Sequence, residues 1–167
     1  MPSPSCPPSS RRSHRCPSSL VRAVTAASLG YTAFVERNRP RYLLYTAARL
    51  PTAADSATLV AAALAAARNR WDFILSQPSP AAEVWGDLRR RVVDRAARTV
   101  SSASEVGALY ELFDEGLADS VVLCRRLGFG IDEAAELMGA EPAAVTAHLA
   151  VAERALPRLS PGRPPTR

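Results

Sequence analysis

The stretch "ATLVAAALAAARNRWDFIL", residues 57–75, limits the fold more than any other feature of the chain. It is built almost wholly from Ala and Leu, the residues with the lowest cost of entering a helix. Val, Ile and Thr are not gathered into alternating runs elsewhere, so no segment reads as a strand. Hydrophobic residues make up 47% of the 167 positions and aromatics only 6%, so a core is possible but must be built on Ala and aliphatic contacts. The chain is therefore expected to be all-α.

Helical periodicity covers most of the remainder. "LGYTAFVERNRPRYLLYTAARL" places Phe34 and Val35, then Leu43 and Leu44, then Ala47, Ala48 and Leu50 at spacings of three and four. Pro40 is expected to break it or to start a turn within it. "PTAADS" reads as a loop, with Asp55 or Ser56 as N-cap. "SQPSP" interrupts next. "AAEVWGDLRRRVVDRAARTV" has an apolar stripe of Val84, Trp85, Leu88, Val92 and Ala96. Its other face carries Arg89, Arg90, Arg91, Arg95 and Arg98. "SSASEVG" reads as a short linker in which Ser104 can cap the next helix. "LYELFDEGLADSVVLCRRLG", "IDEAAELMG" and "EPAAVTAHLAVAERALPRL" are helical, and "SPGRPPTR" reads as a disordered end.

Charge divides the chain. All 21 basic residues are Arg and none is Lys. Residues 1–28 carry +4, residues 29–98 carry +5, residues 99–155 carry −7 and residues 156–167 carry +3. A basic balance points to nucleic acid, and the Arg face of 89–98 can hold phosphates while Trp71 or Trp85 could stack on an unpaired base. The plainer alternative is a solvated Arg face above two core tryptophans.

Cys6, Cys16 and Cys124 form neither a disulfide framework nor a metal pattern, even with His14 beside Cys16. Cys124 reads as a small core residue. No metal and no cofactor is expected, and the thiol usage fits a reducing cytoplasm. The segment "LVRAVTAASLG" after "SSRRSHRC" is broken by Arg22, so it is not a secretory core of about seven to fifteen apolar residues. No membrane span is expected. With two His, no Gly-rich phosphate loop, no paired carboxylates beside a nucleophile and no ligand spacing, an enzyme is not expected. Glu111, Asp114 and Glu115 read as a solvated helix end.

"EAAELMGAEPAAVTAHL", residues 133–149, fits a helix-turn-helix. Ala135 is small where two helices would cross, Gly139 lies four residues on in the turn, and Val145 is a branched residue in the second helix. Leu137, Met138 and Leu149 complete the apolar set, and Pro142 suits the first helical turn. Asp132 and Glu133 complement the positive end of the first helix. A plain helical hairpin has the same outline.

This segment with its neighbours, "LGFGIDEAAELMGAEPAAVTAHLAVAERAL", resembles the promoter-reading C-terminal region of sigma factors of the extracytoplasmic-function type, within the sigma-seventy family. "LYELFDEGLADSVVLCRRLG" looks like the two helices that precede that motif. "YTAFVERNRPRYLLYTAARL" is similar to the family's opening helix, "ATLVAAALAAARNRW" occupies the place of the polymerase-binding helix, and "RRRVVDRAAR" resembles the helix that meets the −10 element. The resemblance covers residues 29–157.

It implies a region 2-like helical domain (29–98), a linker (99–105) and a region 4-like helix-turn-helix domain (106–157), between a basic tail (1–28) and an end (158–167) that composition marks as disordered. It implies a transcription regulator acting with RNA polymerase core on promoter DNA, with an anti-sigma protein as a regulatory partner. DNA would meet Arg89, Arg90, Arg91, Arg95 and Arg98 in front and Ala144, Thr146, His148 and Arg154 behind. Polymerase would meet Leu59, Val60 and Leu64.

The chain departs from the family pattern in its charges. Thr58, Ala61 and Ala62 stand where the polymerase-binding helix carries acids and amides. Thr146, His148, Val151 and Glu153 stand where the recognition helix is basic. Duplex affinity grows with each phosphate neutralised, with a log–log salt slope of about −0.9 per contact. A half carrying −7 is repelled by a duplex. A helical protein-interaction module without DNA binding therefore stands as the alternative.

Overall fold

The computed structural model describes residues 17–98 and 105–156, with side chains from residue 27 onward. Among the described residues every regular element is helical: α1 (Pro17–Arg49), α2 (Ala53–Asn69), α3 (Trp71–Leu75), α4 (Pro80–Arg98), α5 (Glu105–Leu112), α6 (Glu115–Val121), α7 (Ile131–Met138) and α8 (Pro142–Ala155). A π-helical turn, Val122–Arg126, continues α6. The all-α expectation holds.

Helix α1 is longer than expected at both points of doubt. It begins at Pro17, so residues 17–28 of the expected disordered tail are helical. Pro17 sits where a missing N–H costs nothing, and the Ala-rich stretch after it holds no breaker. Residues 1–16, with Cys6, His14 and Cys16, lie outside the described residues, as do the tail 158–167 and Ser104. The helix also runs through Pro40 without ending. Pro40 is exposed, so the carbonyl it leaves unbonded one turn earlier can turn to water.

Helix α2 is capped by Thr52, not by Asp55 or Ser56. Thr52 Oγ1 accepts the Asp55 N–H at 3.1 Å and donates its own proton to Asp55 Oδ2 at 2.8 Å. Ser56 is buried one turn on, donating to the Thr52 carbonyl at 3.2 Å. The run 57–75 is divided at Arg70, which leaves helical geometry (φ −127°, ψ 26°). The break turns Trp71 and Ile74 inward.

The buried residues form one cluster that includes Tyr42, Tyr45, Trp85 and Leu88 from the front half and Leu117, Val121, Leu123 and Leu137 from the rear. Helix α7 lies against α4, and α1 against α5 and the π turn. Residues 29–98 and 106–157 therefore do not keep separate interiors. The physical reason is visible at the joint. The turn after α7 abuts the start of α4, where Ser79 Oγ lies 3.4 Å from the Gly139 carbonyl and accepts the Ala82 N–H at 3.2 Å. Gly139 has φ +65°, and a Cβ there would overlap the Ala82 backbone. Only glycine gives both that backbone and that approach. Of the expected linker, Glu105 opens α5 and residues 99–104 lie outside the described residues.

Candidate nucleic-acid interface

The Arg face of α4 is present, and most of it is occupied by acids. Arg90 and Arg91 divide the carboxylate of Asp87, at 3.0 and 2.8 Å, as i,i+3 and i,i+4 partners on the same helix. Arg95 pairs with Asp55 at the start of α2. Arg89 reaches into the rear half, with Nε 3.2 Å from Glu115 and Nη1 3.6 Å from Asp119. Arg98 is exposed at the end of the helix. Arg91, Arg95 and Arg98 line a cleft of about 280 Å³ with Asp55, Asp94 and Thr58. The neighbouring cleft of about 530 Å³ sets Arg70, Arg89 and Arg90 against Glu83, Asp87, Asp94 and Glu115. The exposed pairs among these contribute little to stability, about 0–1 kcal/mol each, but their carboxylates offset the positive charge shown to an incoming phosphate. Asp55 is held below the usual carboxylate range by the Thr52 hydroxyl and by Arg95.

The tryptophans are core residues. Trp85 is buried between Tyr45 and Tyr42, with ring centroids 4.5 and 6.1 Å away. Trp71 is buried against Tyr31 and Phe34 at 5.4 and 5.2 Å. Stacking of either on an unpaired base is corrected: the rings already have aromatic partners and almost no exposed face. The residues that the resemblance sets against polymerase also pack inward. Val60 and Leu64 are buried, and Leu59 is half-buried against the core. The outward face of α2 is instead Ala54, Ala57, Thr58, Ala61 and Ala65.

In the rear half α7 and α8 pack against each other as a helical hairpin. Ala135 and Val145 are buried, Gly139 takes the left-handed conformation, and Leu137, Met138 and Leu149 lie inside. Pro142 is the first residue of α8. Glu133 accepts the Gly130 N–H at 3.0 Å, closing the start of α7. The side chains expected to read DNA are less available. Ala144 is half-buried. Thr146 is exposed, but its hydroxyl is donated to the Pro142 carbonyl at 3.0 Å. His148 is half-buried, with Nδ1 2.9 Å from Ser120 Oγ on α6 and Cε1 beside Gly116, so one ring nitrogen is already engaged within the fold. Arg154 is exposed, and Glu153 is taken by Arg125.

Between the halves sits a polar centre that sequence reasoning missed. Asp119 is fully buried in α6. Its Oδ1 accepts the hydroxyls of Tyr45 at 2.7 Å and Tyr110 at 2.6 Å. Its Oδ2 has no hydrogen-bond partner and faces Arg89. Arg49 lies over the Tyr110 ring, 3.3 Å from its centroid, a cation–π contact. Burial raises the Asp119 pKa, against the pull of the two phenols and of Arg89 and Arg49. Burial also raises both tyrosines, helped by the Asp119 charge. The signal in the sequence was an acid inside the apolar run "GLADSVVL".

Cys124 is half-buried with its thiol pKa raised by burial, which fits a packing role. Among the described residues no helix is long and apolar enough to cross a membrane, and no cluster of His, Cys, Asp and Glu could hold a metal ion. No protein-family model matches the chain, and neither a curated protein nor a solved structure matches it.

Proposed function

We propose that this chain is a sigma-factor-like transcription regulator of the cytoplasm, acting with RNA polymerase core and promoter DNA. The observation that carries this reading is the α7–Gly139–α8 unit, with a left-handed glycine between buried Ala135 and buried Val145, behind a helical front half that bears an Arg face. Fold alone does not give function, so the reading rests on that unit together with the order of the two regions. DNA contact would fall to the outward Arg groups, chiefly Arg90 and Arg98, and to Arg154 on α8. Polymerase contact would fall to the outward Ala/Thr face of α2. An anti-sigma protein would be the regulatory partner.

A second reading, a sigma-derived helical module that binds protein and not DNA, has its own support. Arg89, Arg90, Arg91 and Arg95 are paired with acids, and the two halves share one interior. A factor that reads two separated promoter elements must spread its halves, and the joint opposes that. The test combines recovery of RNA polymerase core on the immobilised full chain with duplex binding titrated in salt. Recovery of core enzyme and a salt-dependent affinity lost in an Arg90→Ala, Arg91→Ala, Arg95→Ala variant is the result expected. Unaltered DNA binding by the triple variant refutes the α4 assignment. Recovery of core without DNA binding selects the module.

A further inference from the structure

The rear half owes its −7 charge to acids that face the front half as well as solvent. Glu136 on α7 meets Arg37 Nε at 2.5 Å and Arg41 Nη1 at 3.4 Å, both on α1. Glu133 lies 3.8 Å from Arg41. Glu115 and Asp119 on α6 meet Arg89 on α4. In each of these pairs the guanidinium comes from the front and the carboxylate from the rear. The two kinds of contact differ in depth. Asp119 is fully buried, whereas the side chains of Arg37, Glu136 and Glu133 are 59%, 43% and 53% exposed and that of Arg41, beneath them, 19%. The outer pairs therefore form a solvent-reachable rim around a buried centre.

We propose that Glu133 and Glu136 act as an internal stand-in for a polyphosphate, occupying Arg37 and Arg41 on α1 so that an external phosphate backbone must compete for them. This rests on the reading of the chain as a nucleic-acid binder. The surface assigned is the α1 face of Arg37 and Arg41, which the sequence resemblance left out of the DNA contacts. A carboxylate and a phosphate oxygen make the same charge-assisted bonds to a guanidinium. Exposed pairs are weak enough to exchange without breaking the core beneath. The halves therefore need not separate for the site to open; the glutamates need only swing away from α1. Glu136 is held below the usual carboxylate range by its bonds to Arg37 and Arg41, so it competes as an anion at neutral pH.

The experiment uses the full chain and a fluorescent duplex of about 20 base pairs, with anisotropy read between about 0.05 and 0.2 M salt. The Glu133→Gln, Glu136→Gln double variant is compared with Glu111→Gln, Glu141→Gln. Both doubles change the net charge equally, and Glu111 and Glu141 are exposed on α5 and at the start of α8. Matching thermal melts establish that both are folded. The first double is expected to bind more tightly than the second, with a salt slope steeper by about 1–2, the contribution of one or two newly available Arg groups. Adding Arg37→Ala and Arg41→Ala should return the slope to that of the control. Equal slopes for the two doubles overturn the inference while leaving the DNA reading intact. Binding by the Glu133/Glu136 double alone supports it in its strongest form, and no binding by any variant overturns both.

Discussion

Replacing Asp119 by Ala removes the acceptor for two phenols that approach it from opposite halves of the chain, Tyr45 at 2.7 Å and Tyr110 at 2.6 Å. Hydrogen bonds to a charged acceptor contribute about 1.5–3 kcal/mol each. Loss of the carboxylate also leaves the buried Tyr45 hydroxyl without its charged partner, at a cost of about 1–3 kcal/mol. Against this, the variant no longer has to bury a carboxylate, an effective penalty of several kcal/mol. The net expectation is a loss of about 2–4 kcal/mol, with Asp119→Asn losing less because one oxygen acceptor remains. For a chain of this size that lowers the melting temperature by roughly 5–15 °C. Urea denaturation followed by helical circular dichroism measures the loss directly. A double-mutant cycle of Asp119→Ala with Tyr45→Phe should give a coupling of about 1–2 kcal/mol, because the pair spans the joint. A change of less than about 0.5 kcal/mol in Asp119→Ala, with no coupling, would refute the argument that this centre holds the halves together.

Three further outcomes follow from the same geometry. The folded-state pKa of Asp119 is raised, so the pH-dependent part of its contribution is fully present below the ordinary carboxylate value and is lost as pH rises through the raised value, leaving only the pH-independent part above it. Urea midpoints across a pH series should show wild type gaining on Asp119→Asn as pH falls through that window, and a flat difference contradicts it. Gly139→Ala should cost at least about 2 kcal/mol, from left-handed strain plus overlap with the start of α4. Gly86→Ala, in open space within α4, should gain about 0.5–1 kcal/mol; equal melts for the two variants would remove the close approach. His148→Ala should lower stability by about 1 kcal/mol through Ser120 and leave duplex affinity unchanged; weakened DNA binding in that variant would restore His148 to the reading face.

Local features were legible where one element decides them. The stripe Val84, Trp85, Leu88 and Val92 is the buried face of α4, because four apolar residues at helical spacing leave a single solution. The helix-turn-helix glycine was legible for the same reason. The face of α1 was misjudged. Leu44 and Ala47 are exposed, while Asn38, Tyr42, Tyr45 and Thr46 are buried. A tyrosine hydroxyl usually needs a partner when it is buried, and for Tyr45 that partner is 74 positions away, while Tyr42 is buried by packing alone with its hydroxyl unpartnered. The same holds for the site. The Arg face could be named, but its availability depended on Asp55, Asp87, Glu115 and Asp119, three of which lie on other helices.

By itself, then, the order of residues determined that this chain is helical, where its apolar stripes run and where a tight turn must fall, because those follow from propensity and spacing within about one or two helical turns. Tertiary structure alone decided that front and rear share an interior, that Val60, Leu64, Trp71 and Trp85 are buried in it, and that rear acids sit on front arginines. Such facts depend on which helices meet, and a carboxylate's effect on a guanidinium is set by distance in space and by the water excluded around it, neither of which is written in sequence separation.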